Sequence, residues 1–70
     1  MADMVMQFSL KELRARKNVT QEKAAEALGV SKQTYNAWEH DLSNVKVSRA
    51  VQIADYFGVT LGELLLRPRA

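Results

Sequence analysis

Seventy residues, 47% of them hydrophobic and 26% charged, make one small domain and leave no room for a second. The absence of cysteine removes disulfide frameworks and thiolate zinc sites, and a single histidine cannot complete a metal site, so no cofactor is expected. Ten Lys and Arg against eight Asp and Glu leave a net charge of +2, which permits nucleic-acid binding without arguing for it.

Three glycines, one proline and few β-branched runs read as an all-α chain. Met1 to Gln7 carry no helical start signal and are expected to form a flexible arm. Ser9 can cap a first helix from Leu10 to near Asn18, with Glu12 reaching back to it, Phe8 packing on Leu13, and Leu10 and Leu13 turned inward. Thr20 caps a second helix, Gln21 to Leu28, with Glu22 in the first turn where negative charge suits the dipole. Gly29 stands where a left-handed residue ends a helix, and Ser31 caps a third, from Lys32 to about His40. Asp41 to Lys46 reads as a loop. Val47, Ala50, Val51, Ala54 and Phe57 then recur at helical spacing as the inward face of a fourth helix, whose cap is ambiguous because Ser48 falls inside the apolar pattern. Gly58 ends it, and Thr60 with Glu63 repeats the capping box for a short fifth helix ending near Leu66. Arg67 to Ala70 form a tail, so the domain itself spans residues 8–66.

Leu64 to Leu66 is the longest large-aliphatic run, far short of the roughly 20 apolar residues that span a bilayer. Met1 is not followed by a basic and then an apolar stretch, so a soluble, cytoplasmic protein is expected.

The second and third helices, joined by a tight glycine-containing turn, meet the requirement of a helix-turn-helix. A small residue at Ala25 lets the helices approach, and Tyr35 and Trp38, three apart, belong to the buried face of the third helix rather than to a base-stacking surface. The outer face offers Lys32, Gln33, Asn36 and the small Ala37, a set suited to reading base edges in a major groove. No nucleophile, metal cluster or glycine-rich phosphate loop accompanies them, and an enzyme is not expected.

The stretches LKELRARKNVTQ, AAEALGVSKQTYNAWE and VQIADYFGVTLGELL resemble the Cro/lambda-repressor-like, or XRE-type, helix-turn-helix family over about Leu10 to Leu65. The resemblance implies a compact five-helix bundle whose third helix enters the major groove, usually as a homodimer on a near-palindromic operator, in a bacterial or phage setting at the nucleoid. It implies base contacts from Lys32, Gln33, Asn36 and Ala37, phosphate contacts from Thr20, Gln21 and Lys46, and an ion pair between Arg14 and Glu39 that fixes the recognition helix. His40, at a helix end, joins the phosphate candidates. Three positions depart from the family pattern: Ala24 for a larger aliphatic, Asp41 for a glycine able to turn left-handed, and Val45-Lys46 for Pro-Ser.

The expected function is sequence-specific binding of double-stranded DNA by a transcriptional repressor. The alternative is an antitoxin-like or adaptor module that docks a protein, which would carry apolar anchors in place of the polar Lys32 to Asn36 face. Leu61, Leu64, Leu65 and Leu66 exceed what one face of so short a helix can bury, so they, with Tyr56, are expected to supply the dimer contact.

Overall fold

Ser9, Thr20 and Ser31 each start a helix by the same chemistry, a side-chain oxygen accepting from the backbone N–H three residues on. At Ser9 the exchange is reciprocal: Glu12 N–H donates to its hydroxyl at 3.1 Å and its own N–H donates to the Glu12 carboxylate at 2.7 Å. The computed structural model describes residues 7–66, so the expected tail and all of the expected arm but Gln7 lie outside the described residues. The helices are α1 (Leu10–Lys17), α2 (Gln21–Leu28), α3 (Lys32–His40) and α4 (Val47–Phe57). α2 packs on α3, α1 packs on α3 and α4, and α4 also meets α2. Leu10, Leu13, Ala24, Leu28, Tyr35 and Ile53 are among the side chains that fill the centre.

The expected fifth helix is a single 3-10 turn, Leu61–Glu63, although Thr60 and Glu63 do form the capping box. The helix stops because its next backbone groups are taken elsewhere. Phe8 N–H donates to Glu63 O at 2.8 Å, Leu65 N–H to Phe8 O at 2.9 Å and Leu42 N–H to Leu66 O at 3.0 Å. Extended chain from Leu64 onward thus bridges Phe8 in parallel and ties the end of the domain to its beginning. Leu64, expected at a dimer surface, is only 1% exposed and belongs to the core.

Between Asp41 and Phe57 the structure departs from expectation in the face that α4 buries, in the Asp41 backbone and at Leu42, and it settles the cap of α4. The buried stripe of α4 is Ala50, Ile53 and Ala54, with Phe57 half-buried, a spacing that leaves Val47 70% and Val51 41% exposed. Ser48 is not the cap of α4; Lys46 is, and its side chain makes no capping bond. Asp41 has an extended backbone rather than a left-handed one, and its carboxylate accepts from Ser43 N–H at 2.8 Å, which makes the turn that a glycine makes by other means. Leu42, within the expected polar loop, is buried.

Leu64→Ala is expected to cost about 2–5 kcal/mol of stability, as for other large aliphatics removed from a core, whereas Leu61→Ala at the exposed turn should cost less than about 1 kcal/mol. Urea unfolding of the two variants checks this, and equal, small losses would place Leu64 at the surface.

Candidate nucleic-acid interface

The turn between α2 and α3 is built on Gly29, whose φ of 72° lies in the left-handed region. A Cβ there would meet nothing within 4 Å, so it is this backbone angle, not crowding, that favours glycine. Its N–H donates to Glu26 O at 3.1 Å and Val30 N–H donates to Ala25 O at 3.0 Å, closing α2 before Ser31 opens α3. Ala24 and Ala25 are buried beneath this corner, and their small side chains let α3 lie close against α2.

Tyr35 turns inward and is fully buried, which fixes the rotation of α3 and leaves its other face outside. On that face Lys32, Gln33 and Ala37 are exposed and Asn36 is half-buried. Lys32 Nζ lies 3.0 Å from Glu22 Oε2 on α2, both side chains being well exposed. Trp38, half-buried, meets Tyr35 edge to face at 6.2 Å and carries the Arg49 guanidinium 5.4 Å from its ring centre, so it is packed against protein on two sides.

Glu39 joins α3 to the two helices before it. Its Oε2 accepts from Arg14 Nε on α1 at 2.7 Å and its Oε1 accepts from Gln21 Nε2 on α2 at 2.9 Å. The Glu39 side chain is 8% exposed and that of Arg14 22%. Burial alone pushes the Glu39 carboxyl up, but the hydrogen bonds from Arg14 and Gln21 outweigh it and hold the group below the usual carboxylate range. The Tyr35 hydroxyl lies beside this pair without completing a hydrogen bond, and burial, then the neighbouring carboxylate, pushes the phenol well above its ordinary value. A cleft over the network is lined by Lys11, Arg14, Gln21, Asn36, Glu39 and His40.

The structure therefore brings Gln21, Asn36 and His40 to one cleft, with Gln33 and Ala37 exposed on the same helix. Gln21 has a partner that sequence reading did not foresee, since half of its amide is committed to Glu39. Lys11, also missed, shares the cleft, and its spacing of three from Arg14 on α1 was the available signal. Thr20 is exposed, its oxygen accepting from Lys23 N–H at 3.1 Å. Lys46 lines a separate hollow with Trp38, Ser48 and Arg49. Of the expected dimer residues, Leu61 and Leu66 are exposed, Leu65 and Tyr56 are half-buried, and Leu64 is withdrawn into the core. Among the described residues no cluster of His, Cys, Asp or Glu could hold a metal ion, and no helix is long and apolar enough to cross a membrane.

A helix-turn-helix family model matches residues 10–64, and the chain belongs to that family, in its XRE-type branch. The chain is 32% identical over 56 residues to the cryptic phage CTXphi transcriptional repressor RstR of Vibrio cholerae, a match covering 80% of this chain and 50% of that protein. It is 39% identical over 61 residues to an uncharacterized HTH-type transcriptional regulator of Methanocaldococcus jannaschii, covering 87% of this chain and 92% of that one. The chain thus spans half the length of the first relative and nearly all of the second. No solved structure matches it.

Removing Arg14 leaves a largely buried carboxylate with only an amide partner. A fully buried pair broken this way costs roughly 3–5 kcal/mol and a surface pair 0–1 kcal/mol. The intermediate burial here sets the expectation for Arg14→Ala at about 2 kcal/mol, with much of the loss recovered in Arg14→Ala combined with Glu39→Gln, read by thermal unfolding. Because the folded carboxyl lies below its unfolded value of 4.5, its contribution is present above that pH and is lost as pH falls through the folded value. Glu39→Gln should flatten this acid limb of the stability curve, and an unchanged limb would show that Glu39 is not what titrates.

Proposed function

We propose that this protein is a sequence-specific double-stranded DNA-binding transcriptional regulator, a repressor that occupies an operator by laying α3 in the major groove. The observation that carries the reading is the division of α3. Tyr35 is locked into the core while Lys32, Gln33, Asn36 and Ala37 face outward. Membership of the helix-turn-helix family and two relatives named as transcriptional regulators support it.

In this reading Gln33 and Asn36 specify bases. Each amide donates and accepts together, which suits the N6 and N7 edge of adenine, and Ala37 is small enough to admit a thymine methyl. Lys32 is the charged reader of the set. Gln21 and Thr20 position the protein on phosphates: the second Gln21 N–H and the Thr20 hydroxyl proton serve that contact while Glu39 and the α2 backbone engage the other half of each group. Lys46 and His40 add phosphate contacts at the two sides of α3, and Lys46 does so at a helix start whose N–H groups have no side-chain cap.

A near-palindromic operator then calls for a second copy of the chain. Leu61 and Leu66, 38% and 37% exposed, which line one hollow with Leu65, are with the half-buried Tyr56 the surface assigned to that contact. A face built mainly to dock a different protein would place apolar anchors on α3, where the exposed residues are polar or small.

Selecting bound sequences from a random duplex pool tests the function directly, and failure to enrich any motif would overturn it. On the selected operator, Gln33→Ala and Asn36→Ala are each expected to cost about 1–3 kcal/mol and to flatten preference at one base pair. Lys46→Ala should weaken all duplexes alike and lower the salt slope by about one unit. Sedimentation with operator duplex should show two chains per site, reduced to one by Leu61→Glu. A single chain on every selected site would end the dimer reading.

A further inference from the structure

A carboxylate at the mouth of a DNA-reading surface needs a reason, since it is repelled by the phosphates that the rest of the surface attracts. Glu22 is such a group. It stands at the second position of α2, and its Oε2 reaches across the turn to Lys32 Nζ, at the first position of α3, 3.0 Å away. The two residues come from different helices, so their meeting follows from the geometry of the α2–α3 corner and not from spacing within one helix. Both side chains are exposed, and Lys32 is followed in α3 by the exposed Gln33.

A donor and an acceptor fixed side by side at this spacing match one feature of the major groove. In a G·C pair, guanine O6 and cytosine N4 are bonded to each other and so stand about 3 Å apart. O6, with N7 beyond it, accepts, and N4 donates. The Lys32 ammonium complements the first group and the Glu22 carboxylate the second. Building on the DNA-binding reading above, we propose that Glu22 and Lys32 act as one composite reader of a single base pair, and that Glu22 is a specificity-determining residue of the interface.

The order of preference follows from the four edges, each pair written with the base under Lys32 first. G·C gives Lys32 two acceptors and Glu22 a donor. T·A keeps one acceptor and the donor but places a methyl where N7 was. A·T leaves N7 for the lysine but sets the N6 donor beside it and the O4 acceptor under the carboxylate, and C·G puts a donor under the lysine and acceptors under the carboxylate. The expected order is therefore G·C, then T·A, then A·T, with C·G far behind. Lys32 acting alone would discriminate less, because an unpaired ammonium can leave the base edge for a phosphate. Glu22 thus holds the lysine at the bases and adds a penalty against the wrong pair.

The test is selection from a random duplex pool by the wild type, Lys32→Ala, Glu22→Ala and Glu22→Gln, with circular dichroism to verify that each is folded. Lys32→Ala identifies the base pair in question as the one whose preference it erases. At that pair the wild type is expected to select G·C, and Glu22→Ala to lose discrimination against A·T and C·G by on the order of tenfold while binding unrelated duplex more tightly. Glu22→Gln, which keeps an acceptor oxygen without the charge, should fall between them. A wild-type preference for A·T or C·G at that pair, no effect of Lys32→Ala on any position, or a motif unchanged in Glu22→Ala would each overturn the composite reader while leaving DNA binding in place. A wild type that enriches no motif would remove the DNA-binding reading itself, and the composite reader with it.

Discussion

One carboxylate sets the geometry on which the reading surface depends. Glu39 sits near the end of α3, its side chain 8% exposed, and its two oxygens are divided between Arg14 of α1 and Gln21 of α2. Taking a charge that far from water is costly unless its lone pairs are satisfied. The cost is therefore recovered only when α1, α2 and α3 stand at one mutual arrangement. Apolar packing alone tolerates small rotations and slides, because contact energy is spread over many weak terms. A bond of 2.7 Å from a planar guanidinium does not. Tyr35 fixes the rotation of α3 from the buried side and Glu39 fixes its position from the edge, so the outward residues inherit a defined direction. Arg14 further ties the corner down by donating to Val19 O at 3.3 Å.

The rest of the fold compensates for a thin core. Several buried positions are alanines, Ala24, Ala25, Ala50 and Ala54, which bring helices close but bury little area each. Closure of the chain adds what these cannot. Phe8, Leu64, Leu65 and the Leu42–Leu66 bond join the two ends of the domain, and Arg49 reaches from α4 to Leu28 O at 3.0 Å, satisfying a carbonyl at the end of α2. Arg16 over Phe8 and Lys17 over Tyr56 cover aromatic rings with the last turn of α1.

Helix starts were legible because capping is a local chemistry. Ser9, Thr20, Ser31 and Thr60 could be read from residue type and a three-residue offset alone. The α2–α3 corner was legible for the same reason, with Gly29 as the sign. What could not be read locally were choices made by distant partners. The register of α4 looked equally good with Val47 and Val51 inside until Ile53 and its neighbours settled it through contacts with other helices. The segment after Glu63 carries a helical pattern, yet its backbone pairs with Phe8 and Leu42, more than twenty residues distant in each case. Leu64 was misplaced with it. In the site, single residues of the outer face were visible from periodicity, but the pairing of Glu22 with Lys32 and of Gln21 with Glu39 crosses helices and depends on their packing.

The central claim is that α3, held by Glu39 and Tyr35, presents its outer face to DNA bases. Backbone amide shifts of the isotopically labelled protein, followed by NMR during titration with a selected operator duplex, test it residue by residue. The expected result is that the largest changes fall on Lys32, Gln33, Asn36 and Ala37, with smaller ones at Thr20, Gln21 and Lys46. Changes concentrated at Val47, Val51, Leu61 and Leu66, with α3 undisturbed, would contradict it.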